Sequence, residues 1–451
     1  MSGIVSKFGG TSNATPEAVN QCVELSQGHV VTVLSAPGKL TAAQVEQYSE
    51  FVPDDPALFG DKVTDQLLGA HQYFIDTGEQ SSVHTRSVQA RYAMLVRGLG
   101  ISSLEDEWLR DIPARIGTSV KNGKESTSML GEILQTELYG ALTGRKIADP
   151  TRAPRSLEPT DRSAWRRWLS HQRDSKTQLL MPGNIWHDGS RPRTFDRGGS
   201  DISGALAAFA VEADEYHNMT DTSCLSADPR MIARDRLLPI TDLSYEEGRE
   251  LGRNGSGLLH PLAIVPLMGS GIPTIVRNTF DPEARGTQYT DETPSDGRTG
   301  QVMALSLMKD VHIIEVHEPG MSERAGRIAA ISKAVADKGV SVVDIVGHGA
   351  DRQIVIVEGS EKQQPTRDAI KELINGDGTV TSESPSLLTL VGHDIGMNAR
   401  KILNELAEHT DIDGQGLPTL TGRHSIRLAI PRTEAEQVTD TAHRILIESA
   451  V

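Results

Sequence analysis

The sequence predicts an α/β protein in which a mostly parallel sheet between helices is followed by two smaller βαββαβ units. Three observations carry this prediction. The first 300 residues alternate strand, glycine turn and helix, residues 291–300 are rich in glycine and aspartate, and a different order of strands and helices follows them. The chain has 451 residues, which exceeds one hydrophobic core, so two or three domains are expected.

The beginning of the chain shows the alternation most clearly. Residues 4–7 predict a strand, residues 9–12 a glycine turn and residues 16–25 a helix, while residues 29–34 predict a second strand that runs into the turn 35–39. Residues 60–140 have mostly helical periodicity. In open α/β sheets ligands bind at the carboxyl ends of the strands, so a site is expected where these turns meet.

The second half of the chain predicts two repeated units. We expect one domain over residues 1–296 and two smaller domains over 297–380 and 381–451, with the C-terminal segment as an alternative completion of the first of the two. The first would begin with strands at 302–307 and 312–316, and the second with a strand at 387–391. Two weakly similar βαββαβ units are typical of the ferredoxin-like arrangement.

Charge and composition exclude several classes of function. A formal charge of −16 opposes binding to nucleic acid or anionic lipid, which relies on clustered Lys and Arg. Only Cys22 and Cys224 occur, too few for a disulfide framework or a metal cluster, so no protein-held metal is predicted. No long apolar run and no secretion signal is visible, and we expect a cytoplasmic protein.

Two of the glycine turns carry residues suited to anions. In Lys7-Phe8-Gly9-Gly10-Thr11-Ser12, glycines would let backbone amides face a phosphate beside a mobile positive charge. In Arg197-Gly198-Gly199-Ser200-Asp201, the arginine could grip a carboxylate through two hydrogen bonds. Each motif alone has a structural alternative, a plain tight turn for the first and helix capping for the second.

Two further loops carry weaker signals. Thr220-Asp221 is followed by Asp228-Pro229-Arg230, in which Asp-Pro marks a turn and Arg230 could meet a phosphate. Gly131-Glu132 stands where a helical pattern starts, and its structural alternative is an exposed glutamate in a first helical turn.

Together these motifs resemble those of the aspartokinases in order and spacing. The resemblance rests on KFGGTS, the SxxGE stretch ending at Glu132, RGGSD, TD followed by ADPR, and Leu259-His260-Pro261. The two C-terminal units resemble the paired ACT regulatory domains of that family, so the resemblance covers nearly the whole chain. It implies an amino-acid kinase fold and a monofunctional member of the family, without a homoserine dehydrogenase region.

The resemblance also implies a reaction and a site. ATP would phosphorylate the side-chain carboxylate of L-aspartate, the first step towards lysine, threonine and methionine, with Mg²⁺ arriving on the nucleotide. Lys7 would neutralise the transferred phosphoryl group, with Gly9, Gly10 and Asp201 as its catalytic partners. The other implied site residues bind the acceptor (Thr41, Glu132, Arg197 and Ser200) or the nucleotide (Lys7, Thr220, Asp221 and Arg230).

The ACT resemblance implies an amino-acid effector and a homodimer or higher homo-oligomer. Asp344 matches a family aspartate in the first unit, but residues 348–350 depart from the family's pattern. Asn184 replaces a family phenylalanine near the acceptor, and Gly257 replaces a family lysine near the nucleotide. These departures leave two alternatives open: a paralogue that phosphorylates a related amino acid in a specialised pathway, or a catalytically silent amino-acid sensor subunit.

Overall fold

A computed structural model shows a chain that folds as two compact units. The structure describes residues 3–174, 177–222, 224–253, 259–292, 298–347, 351–359, 362–374, 378–410 and 419–450. Gly257, residues 348–350 and the predicted domain boundary at 296/297 lie outside the described residues.

An eight-stranded sheet forms the centre of the first unit, in the order β3-β4-β2-β1-β7-β9-β10-β8. Its strands are β1 (Ile4–Phe8), β2 (Val31–Leu34), β3 (Lys146–Ile147), β4 (Leu179–Pro182), β7 (Glu215–Thr220), β8 (Asp242–Ser244), β9 (Thr274–Asn278) and β10 (Thr287–Thr290), and a separate hairpin consists of β5 (Ile185–His187) and β6 (Pro192–Thr194). Only the pairing of β10 with β9 is antiparallel. The predicted mostly parallel sheet is therefore confirmed.

Helices connect and cover these strands. They are α1 (Pro16–Leu25), α2 (Ala42–Gln47), α3 (Val63–Thr77), α4 (Ser82–Gly98), α5 (Ser102–Glu105), α6 (Glu107–Asn122), α7 (Lys124–Thr143), α8 (Arg162–Gln172), α9 (Gly199–Val211), α10 (Tyr245–Arg253) and α11 (Pro261–Ile264). Side chains from α3, α4, α6 and α7 form one buried core with Phe8 and Leu34 of the sheet. Central strands buried on both faces are typical of parallel sheets, and residues 31–34 have no exposed member.

The second unit contains two four-stranded antiparallel sheets. The first has the order β13-β14-β12-β15 and the second β11-β16-β18-β17. The elements are β11 (Ala304–Met308), β12 (Val311–His317), α12 (Arg327–Asp337), β13 (Val342–Gly347), β14 (Arg352–Glu358), α13 (Gln363–Leu373), β15 (Thr379–Glu383), β16 (Ser386–Val391), α14 (Ala399–His409), β17 (Thr419–Thr421), β18 (Ser425–Ile430) and α15 (Ala435–Leu446). Both sheets have the ferredoxin-like strand order that the sequence predicts.

The strand predicted at 302–307 was assigned to the wrong sheet. It forms β11, which pairs with β16 from Ala304↔Val391 to Met308↔Leu387 and so completes the second of these sheets instead of opening the first. The physical reason is burial, since Leu305 shares a core with Leu388 and Leu390 of β16. The first sheet takes β15 as its fourth strand, which the sequence did not predict.

A segment expected in the domain 1–296 also folds with the sheets of the second unit. Residues Leu225–Pro239 belong to the second unit, because Ala227, Ile232 and Leu237 are buried in the same core as β11 and α15. The segment follows β7 directly in the sequence and contains Asp228-Pro229-Arg230. Sequence position alone could not reveal this assignment.

Candidate active site

A cleft of about 500 Å³ lies at the carboxyl end of the parallel sheet in the first unit. The loops after β1 and β2, the middle of α7 and the N-terminus of α9 line it. Of the predicted site residues, it brings together Lys7, Gly9, Gly10, Glu132, Arg197, Ser200 and Asp201. This position agrees with the expectation that ligands bind at the carboxyl edge of such sheets.

Lys7 and Asp201 form an ion pair in this cleft. Lys7 lies near the end of β1, held between Val33 of β2 and Asn218 of β7, and Asp201 lies in the first turn of α9. The Lys7 Nζ to Asp201 Oδ1 distance is 2.6 Å, and the two side chains are only 10% and 15% exposed. The pair holds the lysine charge at a fixed point, beside a helix N-terminus that itself favours anions.

The glycines of the first loop allow two chain segments to touch. The N–H of Gly38 donates to the carbonyl oxygen of Gly10 at 2.7 Å, and a Cβ on Gly38 would lie 2.5 Å from the Gly10 carbonyl carbon. The N–H of Gly9 donates to Met219 O at 3.1 Å, so this amide is used in fixing the turn. Any side chain at Gly38 would therefore push the loops after β1 and β2 apart.

Arg91 supports these loops from below, and sequence reasoning missed it. The side chain is fully buried in α4 and donates to four carbonyl oxygens, those of Ala14, Gly38, Phe59 and Asp61, at 2.8–3.3 Å. Burial lowers the pKa of its guanidinium to about 10, so the group stays charged at neutral pH. An arginine in a helical pattern is expected to be exposed. Only the fold shows that its guanidinium donates its hydrogen bonds to loop carbonyls.

Glu132 is buried in the cleft wall, in the middle of α7 and not at a helix start as predicted. A Cβ on the neighbouring Gly131 would approach Ala36 Cβ to 2.7 Å, so the glycine lets α7 lie against the loop after β2. Burial raises the pKa of Glu132 to about 8, against the lowering effect of hydrogen bonds from its own backbone and that of Ala36. Within the described residues, nothing hydrogen-bonds its Oε2. The carboxyl is thus a buried polar group with capacity for a ligand.

The loop before α9 presents Arg197 and Ser200 to the same cleft. Arg197 is exposed. Ser200 packs closely against Gly183, so that a Cβ added to Gly183 would lie 2.6 Å from Ser200 Oγ. Asn184 also lines the cleft, with a left-handed backbone (φ 63°) that asparagine tolerates better than a bulky residue. The residue that departs from the aspartokinase pattern therefore lies beside the predicted acceptor residues.

His260 explains the Leu-His-Pro motif structurally. Its ring occupies the space that a Cβ on Gly198 would need. Gly198 also has a left-handed backbone conformation (φ 64°), which glycine adopts without strain. Burial, and to a lesser extent the charge of Arg197, lower the pKa of His260 while Asp201 raises it. The motif thus shapes the turn that carries Arg197 and Asp201, a role that spacing in the sequence did not reveal.

The remaining predicted residues are not among those lining the cleft. Thr41 caps α2, where its hydroxyl accepts the Gln44 N–H at 3.3 Å. Thr220 ends β7 and donates to Asp221 Oδ1 at 3.3 Å. Arg230 belongs to the second unit and pairs with Asp228 at 2.5 Å.

Comparison with known proteins identifies the family. Residues 2–278 match the model of the amino acid kinase family, which covers more than half of the chain. The chain belongs to that family. This amino acid kinase is 25% identical to aspartokinase 3 of Bacillus subtilis, in an alignment that covers 91% of this chain and 92% of that protein. It is 24% identical to the lysine-sensitive aspartokinase 3 of Escherichia coli, over 99% of both chains.

The fold of this amino acid kinase is also found in a solved aspartokinase. The crystal structure of E. coli aspartokinase III in complex with aspartate and ADP matches with a TM-score of 0.74 and 21% identity, over 98% of this chain and 99% of that one. The chain spans less than half the length of the bifunctional aspartokinase/homoserine dehydrogenase of Haemophilus influenzae, which it also matches. No helix in the described part of the chain is both long and apolar enough to cross a bilayer.

Proposed function

We propose that this amino acid kinase is an aspartate kinase that transfers the γ-phosphoryl group of ATP to the side-chain carboxylate of L-aspartate. The observation that carries the proposal is the buried Lys7–Asp201 pair in a cleft that also contains Glu132, Arg197 and Ser200. Cationic and anionic side chains converge there on a space large enough for a small amino acid and a triphosphate. The similarity to two aspartokinases along nearly the full chain supports the same conclusion.

In this reaction a carboxylate oxygen of aspartate attacks the γ-phosphorus. A new P–O bond forms, the bond to the β–γ bridging oxygen breaks, and the electron pair leaves on ADP. The acceptor is already an ionised nucleophile, so the protein has to reduce repulsion between two anions and align them. Lys7 supplies the fixed positive charge at the transferred group, and Asp201 holds the Lys7 ammonium in place at 2.6 Å.

The acceptor would lie between the α9 loop and α7. Arg197 would hold its α-carboxylate with Ser200 beside it, and Glu132 would receive its ammonium group. Glu132 is suited to this role because its Oε2 has no hydrogen-bond partner within the described residues. The three groups would leave the side-chain carboxylate pointing towards Lys7.

A magnesium ion would arrive with the nucleotide. Asp196 and Asp201 line the cleft and provide carboxylate oxygens, which are ligands that Mg²⁺ prefers, so the residues present fit the ion. When bound, the ion would neutralise phosphate charge. Thr220, Asp221 and Arg230 are the proposed nucleotide residues, and Thr41 a proposed acceptor residue.

The two ferredoxin-like sheets would bind an amino-acid effector, and we propose a cytoplasmic homodimer or higher homo-oligomer. The E. coli relative is named lysine-sensitive, which makes lysine the first effector to test. Inhibition of turnover by lysine, measured at subsaturating aspartate, would support this part of the proposal.

The direct test is an assay of purified protein with ATP, Mg²⁺ and L-aspartate, in which hydroxylamine traps the acyl phosphate as a hydroxamate. We expect hydroxamate and ADP in equal amounts. ADP without hydroxamate would indicate simple ATP hydrolysis and contradict the proposal. Correctly folded protein that gives neither product with aspartate or its relatives would favour a silent sensor subunit.

Asn184 favours a second candidate function, phosphorylation of an amino acid related to aspartate. Its half-buried amide lies in the cleft wall against Gly199, where a polar group that a substrate must satisfy can discriminate between acceptors. A panel of acidic amino acids and their amides or homologues tests this reading. A higher kcat/KM for another acceptor than for aspartate would establish it.

Replacing Arg197 by alanine is expected to raise the KM for aspartate about tenfold or more, because a charge-assisted contact to the α-carboxylate would be lost. The KM for ATP should change much less. Steady-state kinetics with each substrate varied in turn measure the two effects, and Arg191→Ala, an exposed arginine of the β5–β6 turn, is the matched control. Equal increases in both KM values would contradict the assigned role.

A further inference from the structure

Asn13 directly follows the first glycine loop, and its side chain is fully buried within the first unit. Its Nδ2 donates to the carbonyl oxygen of Gly9 at 2.9 Å and to that of Phe8 at 3.3 Å. Its Oδ1 accepts from the Tyr139 hydroxyl at 2.8 Å and from Gln135 Nε2 at 3.4 Å, both on α7. One side-chain amide thus joins the loop after β1 to the helix that crosses beneath it.

The chemistry of these partners fixes which way the Asn13 amide points. Backbone carbonyl oxygens only accept hydrogen bonds, so the group that faces Phe8 and Gly9 must be the NH₂ of the amide. The hydroxyl of Tyr139 can donate to the amide oxygen on the other side. The four contacts use both protons of Nδ2 and both lone pairs of Oδ1, so the amide is held in one orientation.

The peptide group between Gly9 and Gly10 depends on this amide. Both residues line the cleft, and glycine on each side lets a peptide group turn over at little steric cost. The groups before and after it are fixed by the backbone, since the Gly9 N–H donates to Met219 O and the Gly10 carbonyl oxygen accepts from the Gly38 N–H. Within the described residues no backbone N–H donates to the Gly9 carbonyl oxygen, which leaves the Asn13 amide to hold it.

Holding the Gly9 carbonyl also sets the direction of the next amide. In a trans peptide the C=O and the N–H point in opposite directions. Because the Gly9 carbonyl points to the buried Asn13, the Gly10 N–H points away from the protein interior, and in the part of the chain that the structure describes it has no acceptor. If the peptide turned over, a carbonyl oxygen would take the place of this N–H and repel an anion.

We propose that Asn13 is a positioning residue for phosphoryl transfer, whose amide holds the Gly9–Gly10 peptide so that the Gly10 N–H donates to the γ-phosphoryl group of the nucleotide. The inference rests on the proposed function, because it takes this loop and Lys7 to meet the transferred group. Lys7 Nζ lies on the same side of the loop, 3.6 Å from the point that a Cβ on Gly9 would occupy. A donor that is oriented before binding stabilises the anion without a cost of reorganisation.

The test compares Asn13→Leu with Tyr139→Phe in the full-length protein. Leucine is close to asparagine in size but has no group to hold the Gly9 carbonyl. Tyr139→Phe is the matched control, because it removes a hydrogen bond of the same buried amide but leaves the contact from Nδ2 to Gly9 in place. Isothermal titration measures the Kd for MgAMPPNP, a non-hydrolysable analogue of MgATP that has a γ-phosphoryl group, and for MgADP, which lacks one.

For Asn13→Leu we expect the Kd for MgAMPPNP to rise about tenfold, the Kd for MgADP to stay within about twofold, and the KM for aspartate to change as little. Tyr139→Phe should lower thermal stability but leave both nucleotide affinities within about twofold. The double variant removes the hydroxyl that leucine leaves without a partner, so it should be more stable than Asn13→Leu and equally weak in binding MgAMPPNP. It decides the matter if Asn13→Leu alone fails to fold.

Unchanged MgAMPPNP affinity in folded Asn13→Leu or in the double variant would overturn the inference and leave the proposed function standing. Equal losses for MgAMPPNP and MgADP, or an equal loss in Tyr139→Phe, would also overturn it, since they indicate a general structural role. A wild-type protein that binds MgAMPPNP but does not phosphorylate aspartate would overturn the proposed function alone, and the comparison of the two nucleotides would still decide the inference. Wild-type protein that binds neither nucleotide would overturn both.

Discussion

Replacing Lys7 by methionine is expected to lower kcat by about three orders of magnitude, the size of effect seen when a fixed charge at a transferred phosphoryl group is removed. Methionine keeps much of the length and the apolar stem of lysine but has no charge. Because Lys7 is buried, water cannot take the place of its positive charge in stabilising the transferred phosphoryl group. Single-turnover assays with saturating ATP and aspartate measure the chemical step.

The same substitution also leaves Asp201 without its partner, so stability has to be separated from catalysis. Breaking a partly buried pair by removing one member leaves an uncompensated charge. The double variant Lys7→Met/Asp201→Asn removes that charge, and it should regain thermal stability without regaining activity. Lys39→Met is the control, because this exposed lysine lies 3.9 Å from Asp61 and does not line the cleft. Recovery of activity in the double variant would show that Lys7 acts only through folding.

The position of the Lys7–Asp201 pair follows from the sequence in a simple way. The two residues are far apart in the chain, but Lys7 lies near the end of β1, and Asp201 begins α9, which follows β4 of the same parallel sheet after the β5–β6 hairpin. The carboxyl ends of such strands meet at one edge, so strand, turn and helix signals suffice to bring the motifs together. The ferredoxin-like class of the two C-terminal units was likewise predictable from the alternation of strands and helices.

The strand partners within the two sheets of the second unit could not be predicted in this way. β11 and β12 are separated only by Lys309 and Asp310, which is typical of a hairpin, yet each strand belongs to a different sheet. Periodicity in the sequence shows which face of a strand is buried but not which strand lies beside it. The placement of β11 in the second sheet depends on the packing of Leu305 against β16, about 80 residues away in the sequence.

Buried polar side chains were the second kind of feature that the sequence did not reveal. Arg91 and Asn13 stand in ordinary helical or loop patterns, and nothing local distinguishes them from exposed residues. Their significance comes from groups that the fold brings to them from distant segments, such as the Gly38 carbonyl for Arg91 and the Tyr139 hydroxyl for Asn13. Burial of such groups is tolerated because their hydrogen bonds are made, which only the structure can show.

Glu132→Gln is expected to change stability and substrate binding in opposite directions. The folded-state pKa of Glu132 is raised from 4.5 to about 8. Below 4.5 both the folded and unfolded states bind the proton, so no cost arises. Between the two values the unfolded state is ionised while the folded state keeps its proton, so the stability of the wild type falls as pH rises towards 8.

Glutamine does not titrate, so the variant should escape this loss. Each pKa unit corresponds to about 1.4 kcal/mol, and the full difference is on the order of 5 kcal/mol. We therefore expect Glu132→Gln to melt at a higher temperature than the wild type at pH 8, and the advantage to shrink as the pH is lowered to 5. Thermal melts without ligands across this pH range measure the trend. An advantage that does not vary with pH would contradict the raised pKa.

Binding of the acceptor should show the cost of that gain. A substrate ammonium group would pair with the ionised form of Glu132, so the variant should raise the KM for aspartate about 100-fold, as expected for a buried charge contact, and leave the KM for ATP nearly unchanged. In the wild type the aspartate KM should fall as pH rises towards 8, while the variant should lose this dependence.

Glu137→Gln, on the same helix but paired with Arg115 and Trp108, is the matched control, with no expected change in aspartate KM. An unchanged aspartate KM in Glu132→Gln would place the ammonium group elsewhere in the cleft. Higher stability together with weaker aspartate binding would instead show that burying Glu132 lowers the stability of the fold and strengthens substrate binding.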